Sequence, residues 1–134
     1  MCSSDDSPRI AVRVVLQRGG RILLVRRAAG SNCGKWEVPG GVAEFLEETI
    51  PALKREVREE TGYIIYPSQT SSLTTVKDGR YITHVFLCTA FRCSSGSEVI
   101  LSEEHDSYIE IGIEEALDLD LTPTTRAVME FLLD

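Results

Sequence analysis

Three glutamates, Glu56, Glu59 and Glu60, stand close together in a segment that reads as an α-helix. Successive helical residues rotate by about 100°, so these three carboxylates share one face. In an exposed helix, such neighbours repel one another by a few tenths of a kcal/mol per pair. Two interpretations follow. The face is either solvated and neutralised by nearby arginines, or it supplies oxygen ligands to a hard divalent cation such as Mg²⁺.

The helix that carries these glutamates is predicted over residues 49–61. Thr49 is a suitable N-cap, and Gly62 stands where a C-terminal glycine ends a helix. Leu53 and Val57 form an apolar stripe beside the acidic face rather than opposite it. A helix of this kind packs its stripe on a sheet and holds its carboxylates at the rim of a groove.

The rest of the chain is predicted to be mostly β-strand, because β-branched runs alternate with turn residues. An Asp-Gly pair at 78–79 signals a hairpin. The final helix begins with Thr122 as its cap and Pro123 at its first position, and Val128, Phe131 and Leu132 are expected to face the core. The predicted strands are 9–17, 21–27, 35–38, 63–66, 72–77, 81–91 and 107–113, and 40–48 is predicted to be a loop. This order favours an α/β fold of the α+β type, with a mixed sheet and helices on its faces.

Length and composition predict one compact domain. The chain has 134 residues, of which 43% are hydrophobic. We expect a single domain over 9–134 and a frayed segment over 1–8. The net charge of −7 argues against DNA binding, which needs a basic surface for phosphates. A protein of this charge that handles phosphates needs a cation from elsewhere.

The four cysteines do not predict a zinc site or a disulfide framework. None forms a C-x-x-C pair, and only two histidines accompany them. Reduced thiols in a cytoplasmic protein are the expectation. The sequence shows neither a signal-peptide pattern nor an apolar run of membrane-spanning length, so no membrane association is expected.

Residues 41–63 fit a longer pattern, G-x5-E-x7-R-E-U-x-E-E-x-G-U, in which U is a bulky apolar residue. Every fixed position is filled, by Gly41, Glu47, Arg55, Glu56, Val57, Glu59, Glu60, Gly62 and Tyr63. At average residue frequencies, a chance match in such a chain has a probability on the order of one in ten million. The chain therefore resembles the MutT-like Nudix hydrolases, and the resemblance extends from about residue 9 to the end.

The resemblance implies an α/β/α sandwich with a mixed sheet between helices. It also implies Mg²⁺-dependent hydrolysis, with Mn²⁺ as a substitute, of a nucleoside diphosphate linked to another moiety. The candidate substrates are nucleoside triphosphates, dinucleoside polyphosphates, ADP-ribose, nucleotide sugars and capped RNA ends. A metal-activated water would attack phosphorus, and a carboxylate would take its proton. The alternatives are a non-catalytic Nudix module that binds nucleotides or regulates a partner, and a structural domain with a solvated acidic face. A homodimer is left open.

Site roles carry over position by position. Glu47 and Arg55 are expected to pair and fix the loop beside the helix, and Gly41 and Gly62 to shape it. The general base is left open between Glu59, Glu60 and Glu104. The expected metal ligands are the carboxylates of Glu56, Glu59 and Glu60 and the carbonyl of Gly40.

Basic and aromatic residues near this segment are candidates for substrate contacts. Arg26, Arg27 and Lys35 are expected either to meet phosphates or to be solvated charges at strand ends. Tyr81 lies near a position where dinucleoside polyphosphate hydrolases of the family carry a tyrosine, but it also fits a plain strand. His105 is expected to pack within its loop.

Three residues depart from the usual family pattern. Leu46 replaces a frequent glycine, which predicts a less usual backbone path before the helix. Pro51 replaces an acid and predicts a shifted helix start. Glu110 replaces a common tryptophan and leaves open whether the usual packing or base contacts form there.

Overall fold

The computed structural model describes residues 7–94, 96 and 98–134, so most of the predicted frayed segment lies outside the described residues. The helices are α1 (Thr49–Thr61), α2 (Ile113–Ala116) and α3 (Pro123–Leu133). The strands are β1 (Arg9–Arg18), β2 (Arg21–Arg27), β3 (Trp36–Glu37), β4 (Gly40–Val42), β5 (Tyr63–Ile65), β6 (Thr70–Asp78), β7 (Tyr81–Cys88), β8 (Phe91–Cys93) and β9 (His105–Gly112). No helix within the described part of the chain has the length and apolarity needed to cross a membrane.

The main sheet is mixed, as the element order predicts. Its strands run in the order β3-β2-β1-β7-β6, with β4 also paired to β1 and β9 to β2. The pairing of β1 with β7 is parallel, and the other pairs are antiparallel. A second, two-stranded sheet joins β5 to β8.

Alternate residues of β1 serve opposite faces of the sheet, because side chains alternate along a strand. Val12, Val14 and Leu16 share a buried cluster with Leu53 and Val57 of α1. The opposite face forms a second cluster with α2 and α3, which includes Val15, Ile22, Leu24, Val85, Ala116, Val128 and Met129. Helices therefore cover both faces of the sheet, which confirms the predicted α/β/α sandwich.

Two predicted boundaries are wrong. The expected loop over 40–48 contains β4, whose Gly40 and Val42 pair with Arg13 and Ala11 of β1. Two glycines lack the side chains that signal a strand, so the pattern did not reveal this one. The expected strand over 81–91 is divided, because β7 ends at Cys88 and the following residues lead into β8.

Helix α1 has the predicted bounds but not the predicted cap. Its N-cap is Glu48, whose side chain makes no capping hydrogen bond, so the assignment of Thr49 is wrong. The helix begins at Thr49 despite Pro51 in its first turn, so the start is not shifted. Gly62 ends it with a φ of 78°, and its N–H donates to the carbonyl of Arg58.

Helix α3 begins as predicted, since Thr122 accepts a hydrogen bond from the Thr125 N–H and Pro123 follows it. Val128 is buried, but Phe131 is 48% exposed, so its assignment to the core is wrong. On a helical wheel, Phe131 lies about 100° from Leu132 and on the far side from Met129. The hairpin predicted at 78–79 is present, with Gly79 and Arg80 as its two turn residues.

Candidate active site

A cavity of about 570 Å³ opens between β1, β4, β7, α1 and the N-terminal end of α3. One part of its wall is rich in carboxylates and combines the three glutamates of α1 with Glu104, which precedes β9. The lining also includes Arg13, Arg27, Glu37, Asp78, Tyr81 and Thr124. The sheet thus places groups from distant parts of the chain around one space.

The glutamates of α1 share the predicted face but differ in exposure. The side chain of Glu59 is 57% exposed, that of Glu56 only 13%, and Glu60 is buried. Arg55 Nη1 contacts Glu56 Oε1 at 3.0 Å and Glu59 Oε1 at 3.1 Å. Within the described ranges, no three His, Cys, Asp or Glu side chains are grouped closely enough to hold a metal ion as they stand. In this arrangement Arg55 is the cation that neutralises the outer two glutamates.

Among the glutamates of α1, Glu60 has the pKa that burial changes most. Burial raises its pKa to about 8, although the Gly40 N–H donates to Oε1 at 3.0 Å and the charge of Arg13 opposes the rise. Burial also raises the pKa of Glu56, against the effect of Arg55. A nearby cation would favour the ionised form of both groups. Hard oxygen donors in a partly desolvated wall fit a divalent cation such as Mg²⁺.

The two glycines of β4 allow close approach of this wall to the sheet. A Cβ on Gly41 would collide with the carboxylate of Glu56. A Cβ on Gly40, whose φ is 152°, would collide with the Val12 carbonyl and with Arg13. Only glycine fits at position 40, where the backbone is in the way, whereas a side chain at position 41 would displace the carboxylate of Glu56. The Gly40 N–H binds Glu60, whereas a metal contact from the Gly40 carbonyl stays a prediction.

Glu47 and Arg55 form the expected pair, and the pair is bidentate. Arg55 Nε and Nη2 donate to the two Glu47 oxygens, each at 2.8 Å. These hydrogen bonds, together with one from the Glu44 N–H, hold the pKa of Glu47 at about 2. Two parallel bonds to a planar guanidinium fix orientation as well as distance. The loop before α1 is therefore attached to the helix that carries the glutamates.

The same loop contains a strained residue. The Glu47 N–H donates to the Glu44 carbonyl at 2.9 Å, closing a four-residue turn. Leu46, the third residue of this turn, has a φ of 65° and is the only non-glycine with a positive φ in the described part of the chain. A turn with a positive φ at its third residue has the pattern of type II, which favours glycine there. Leu46 thus adopts a left-handed conformation without being glycine, and it bears the strain.

A buried ionic cluster beneath the cavity was not predicted. Glu37 Oε1 lies 3.3 Å from Arg13 Nη2, and its Oε2 lies 3.2 Å from Arg27 Nη1 and 2.8 Å from His105 Nε2. Burial opposes the ionisation of Glu37, but these three partners outweigh it and hold its pKa below the usual range. The available signal was Arg13 itself, a charge inside the apolar run of β1. Glu37 therefore fixes two guanidinium groups at the cavity.

Of the three basic residues proposed to contact substrate, only Arg27 lines the cavity. Arg27 lines the cavity, but Arg26 does not, and its Nε binds Asp106 Oδ1 at 2.8 Å. Successive strand residues face opposite sides, so only one of the two can reach the cavity. Lys35 also lies outside it, with Nζ 3.1 Å from Asp120 Oδ1. The structure thus gives no support to substrate contacts from Arg26 or Lys35.

Of the remaining candidate residues, two line the cavity, and the other two lie outside its lining and contact another side chain. Glu104 and Tyr81 both line the cavity, and Tyr81 is 39% exposed. His105 is buried and contacts Glu37, in agreement with packing in its loop. Glu110 forms an exposed ion pair with Arg18 at 3.0 Å, outside the cavity lining. At position 110, where the family commonly has a tryptophan, the side chain therefore forms this ion pair and does not contact the cavity.

Fold and site together define a Nudix hydrolase. A family model described as NUDIX domain matches residues 7–132, so the chain belongs to this family. It is therefore an enzyme that hydrolyses phosphoric anhydride bonds. Members of the family generally use divalent metal ions.

Relatives named as nucleoside triphosphatases agree with this class. The chain is 34% identical over 132 residues to the nucleoside triphosphatase NudI of Klebsiella pneumoniae (strain 342), covering 90% of this chain and 94% of that protein. Identity to NudI of Escherichia coli O139:H28 is 30% over 132 residues, with the same coverage. Among solved structures, the MutT NUDIX hydrolase from Burkholderia pseudomallei aligns with a TM-score of 0.78 and 28% identity, over 94% of this chain and 98% of that one. The E. coli ORF135 protein aligns with a TM-score of 0.77 and 28% identity, over 95% and 89%.

Proposed function

We propose that this protein is a Mg²⁺-dependent pyrophosphohydrolase whose substrates are nucleoside triphosphates. The observation that carries the proposal is the buried carboxylate of Glu60, which faces the cavity beside Glu56 and is costly to ionise without a cation. The names of the NudI relatives support a nucleoside triphosphate among the candidate substrates. Dinucleoside polyphosphates, ADP-ribose and nucleotide sugars share the same anhydride bond and belong in the same test.

The carboxylates of α1 would hold the metal in this proposal. When bound, Mg²⁺ supplies neutralisation of the phosphate charge and a water of lowered pKa. Glu56, Glu59 and Glu60 present oxygen atoms to the cavity, and the pairing of Glu47 with Arg55 keeps the adjoining loop in place. Mg²⁺ usually takes one or two protein carboxylates together with phosphate oxygens, so these three glutamates suffice.

The cationic groups of the cavity would orient the substrate. Arg13 and Arg27 carry planar guanidinium groups that suit phosphate oxygens, and Glu37 limits their movement. A carboxylate must also accept the proton of the attacking water. Glu59, Glu60 and Glu104 line the cavity and remain the candidates for this base.

The test is a release assay for phosphate and pyrophosphate over a nucleotide panel, with Mg²⁺ or with EDTA. We expect Mg²⁺-dependent turnover, and we expect Glu59→Gln and Glu60→Gln each to lower it by about 100-fold or more. Glu130→Gln is the matched control, because Glu130 is an exposed helical glutamate on α3 that does not line the cavity.

Two results would contradict the proposal. Turnover that is unchanged in EDTA would exclude the metal dependence. Near-native turnover in Glu60→Gln, with the unfolding temperature also unchanged, would remove Glu60 from the site.

A further inference from the structure

The hairpin between β6 and β7 presents a carboxylate and a ring to the cavity. Asp78 and Tyr81 are directly opposite each other across this hairpin, so their side chains lie on one face of the sheet. Both line the cavity. Thr124 Oγ1, at the first turn of α3, donates to Asp78 Oδ2 at 3.3 Å. The carboxylate is thereby attached to two elements and retains further acceptor capacity.

Turn formation does not explain an aspartate at this position. The two turn residues are Gly79 and Arg80, because the strands pair through Asp78 and Tyr81. Gly79 has a φ of 60°, and a glycine at the first turn position suits type II′. Asp78 is the last residue of β6 and needs no special backbone conformation. Its side chain is therefore not required by the turn and can contact a ligand in the cavity.

The hairpin lies far from the carboxylates of α1 within the same cavity. Strand β4, which contacts Glu60 through Gly40, is separated from β6 by β1 and β7. Three strand spacings correspond to about 14 Å. A nucleotide whose phosphates lie near α1, as in the proposed function, would extend its ribose and then its base toward the hairpin.

The two side chains suit complementary features of a base. Tyr81 offers a partly exposed ring, and base stacking on a ring tolerates any base. An ionised carboxylate accepts hydrogen bonds and cannot donate them. Cytosine and adenine carry an exocyclic amino group that donates, whereas uracil and hypoxanthine carry a carbonyl at the corresponding atom. A carbonyl facing Asp78 would meet repulsion instead of a hydrogen bond.

We infer that Asp78 is a specificity-determining residue, which selects nucleotides whose base donates from an exocyclic amino group. Tyr81 supplies the stacking surface and contributes to every base alike. The inference rests on the proposed function, since it assumes that the phosphates lie at the α1 glutamates. Asp78 is exposed at the cavity rim, so the expected preference is roughly tenfold rather than the far larger ratios of fully buried sites.

The experiment uses two substrate pairs that differ only by an amino group against a carbonyl, CTP with UTP and ATP with ITP. We expect kcat/KM to favour CTP over UTP and ATP over ITP by about tenfold in the wild type. In Asp78→Asn, whose amide both donates and accepts, both ratios should fall to about one. Tyr81→Ala should lower kcat/KM for all four substrates by a similar factor.

Asp106→Asn is the matched control, because Asp106 is a partly exposed aspartate outside the cavity and should leave both ratios unchanged. Wild-type ratios near one, with all four substrates hydrolysed, would overturn the selectivity and leave the proposed function intact. Ratios that persist in Asp78→Asn would assign the selectivity to another group. A failure to hydrolyse any nucleotide would overturn both proposals.

Discussion

Replacing Leu46 with glycine should stabilise the protein, although it removes a large apolar side chain. Leu46 has a φ of 65° and is 86% exposed, so its side chain contributes little burial to the fold. The replacement relieves a left-handed conformation that L-residues disfavour, while the turn that presents Glu47 to Arg55 is retained.

The expected magnitude follows from three contributions. Relief of the left-handed conformation gives about 1–2 kcal/mol. The lost burial of a side chain exposed to this extent costs about 0.3 kcal/mol. The greater backbone freedom of glycine in the unfolded chain costs about 0.5–1 kcal/mol. The free energy of unfolding should therefore rise by about 0.5 kcal/mol.

A comparison of glycine with alanine at two adjacent sites isolates the backbone term. Leu46→Ala loses the same side chain but keeps the strain, so Leu46→Gly should be more stable than Leu46→Ala by about 0.5–1 kcal/mol. Phe45 is 92% exposed and does not have a positive φ. There the order should reverse, with Phe45→Gly less stable than Phe45→Ala by about 0.5–1 kcal/mol.

Urea unfolding followed through the single tryptophan, Trp36, measures all four variants. The opposite sign at the two positions is the expected result. If Leu46→Gly is no more stable than Leu46→Ala, the turn is not left-handed at this residue and the strain argument fails.

Two further predictions concern the buried carboxylates. The pKa of Glu60 is raised to about 8 from an unfolded value of about 4, so the stability it contributes is fully present below the unfolded value and is lost as pH rises through 8. In EDTA, the wild type should therefore lose on the order of a few kcal/mol relative to Glu60→Gln between pH 4 and pH 9, and parallel urea midpoints for the two proteins would contradict this. Glu37→Gln should lower the free energy of unfolding by about 3 kcal/mol, because Arg13 and Arg27 lose a buried counter-charge. Glu110→Gln, which breaks an exposed pair, should change it by less than about 1 kcal/mol, and equal effects of the two variants would refute the importance of burial.

Sequence patterns correctly predict the features that depend on residues close together in the chain. The three glutamates share a face because helical rotation is fixed, and the ends of α1 and α3 follow from Gly62, Thr122 and Pro123. The hairpin after β6 also depends on adjacent residues. In each case, the residues that decide the structure lie within a few positions of one another.

The ionic cluster around Glu37 is different, because its members come from four strands. Arg13 and Arg27 precede Glu37 in the chain, Arg27 by 10 positions, whereas His105 follows Glu37 by 68 positions. Only the order of β3, β2, β1 and β9 in the sheet brings them together, and no local pattern encodes that order. A charge in an apolar strand marked Arg13 as unusual but did not identify its partner.

The difference between Arg26 and Arg27 shows how finely strand parity selects a site residue. The two adjacent arginines have the same chemistry, yet only Arg27 reaches the cavity and Glu37. The pairing of β2 with β9 is irregular at this point because Asp106 is an extra residue on β9, so the alternation along β2 itself is kept.

Two departures from local preference occur beside the same cavity. Leu46 occupies a conformation that favours glycine, and Glu60 occupies a buried environment that disfavours its charge. Structural stability alone gives no reason for either, since glycine at the first and glutamine at the second are expected to raise the free energy of unfolding at neutral pH and above. Sequences that specify a fold well tend to violate such rules at functional sites. Leu46 precedes Glu47, which binds Arg55, and Glu60 faces the space proposed for the metal. Both unfavourable features therefore lie in the loop and the helix that position the glutamates of α1.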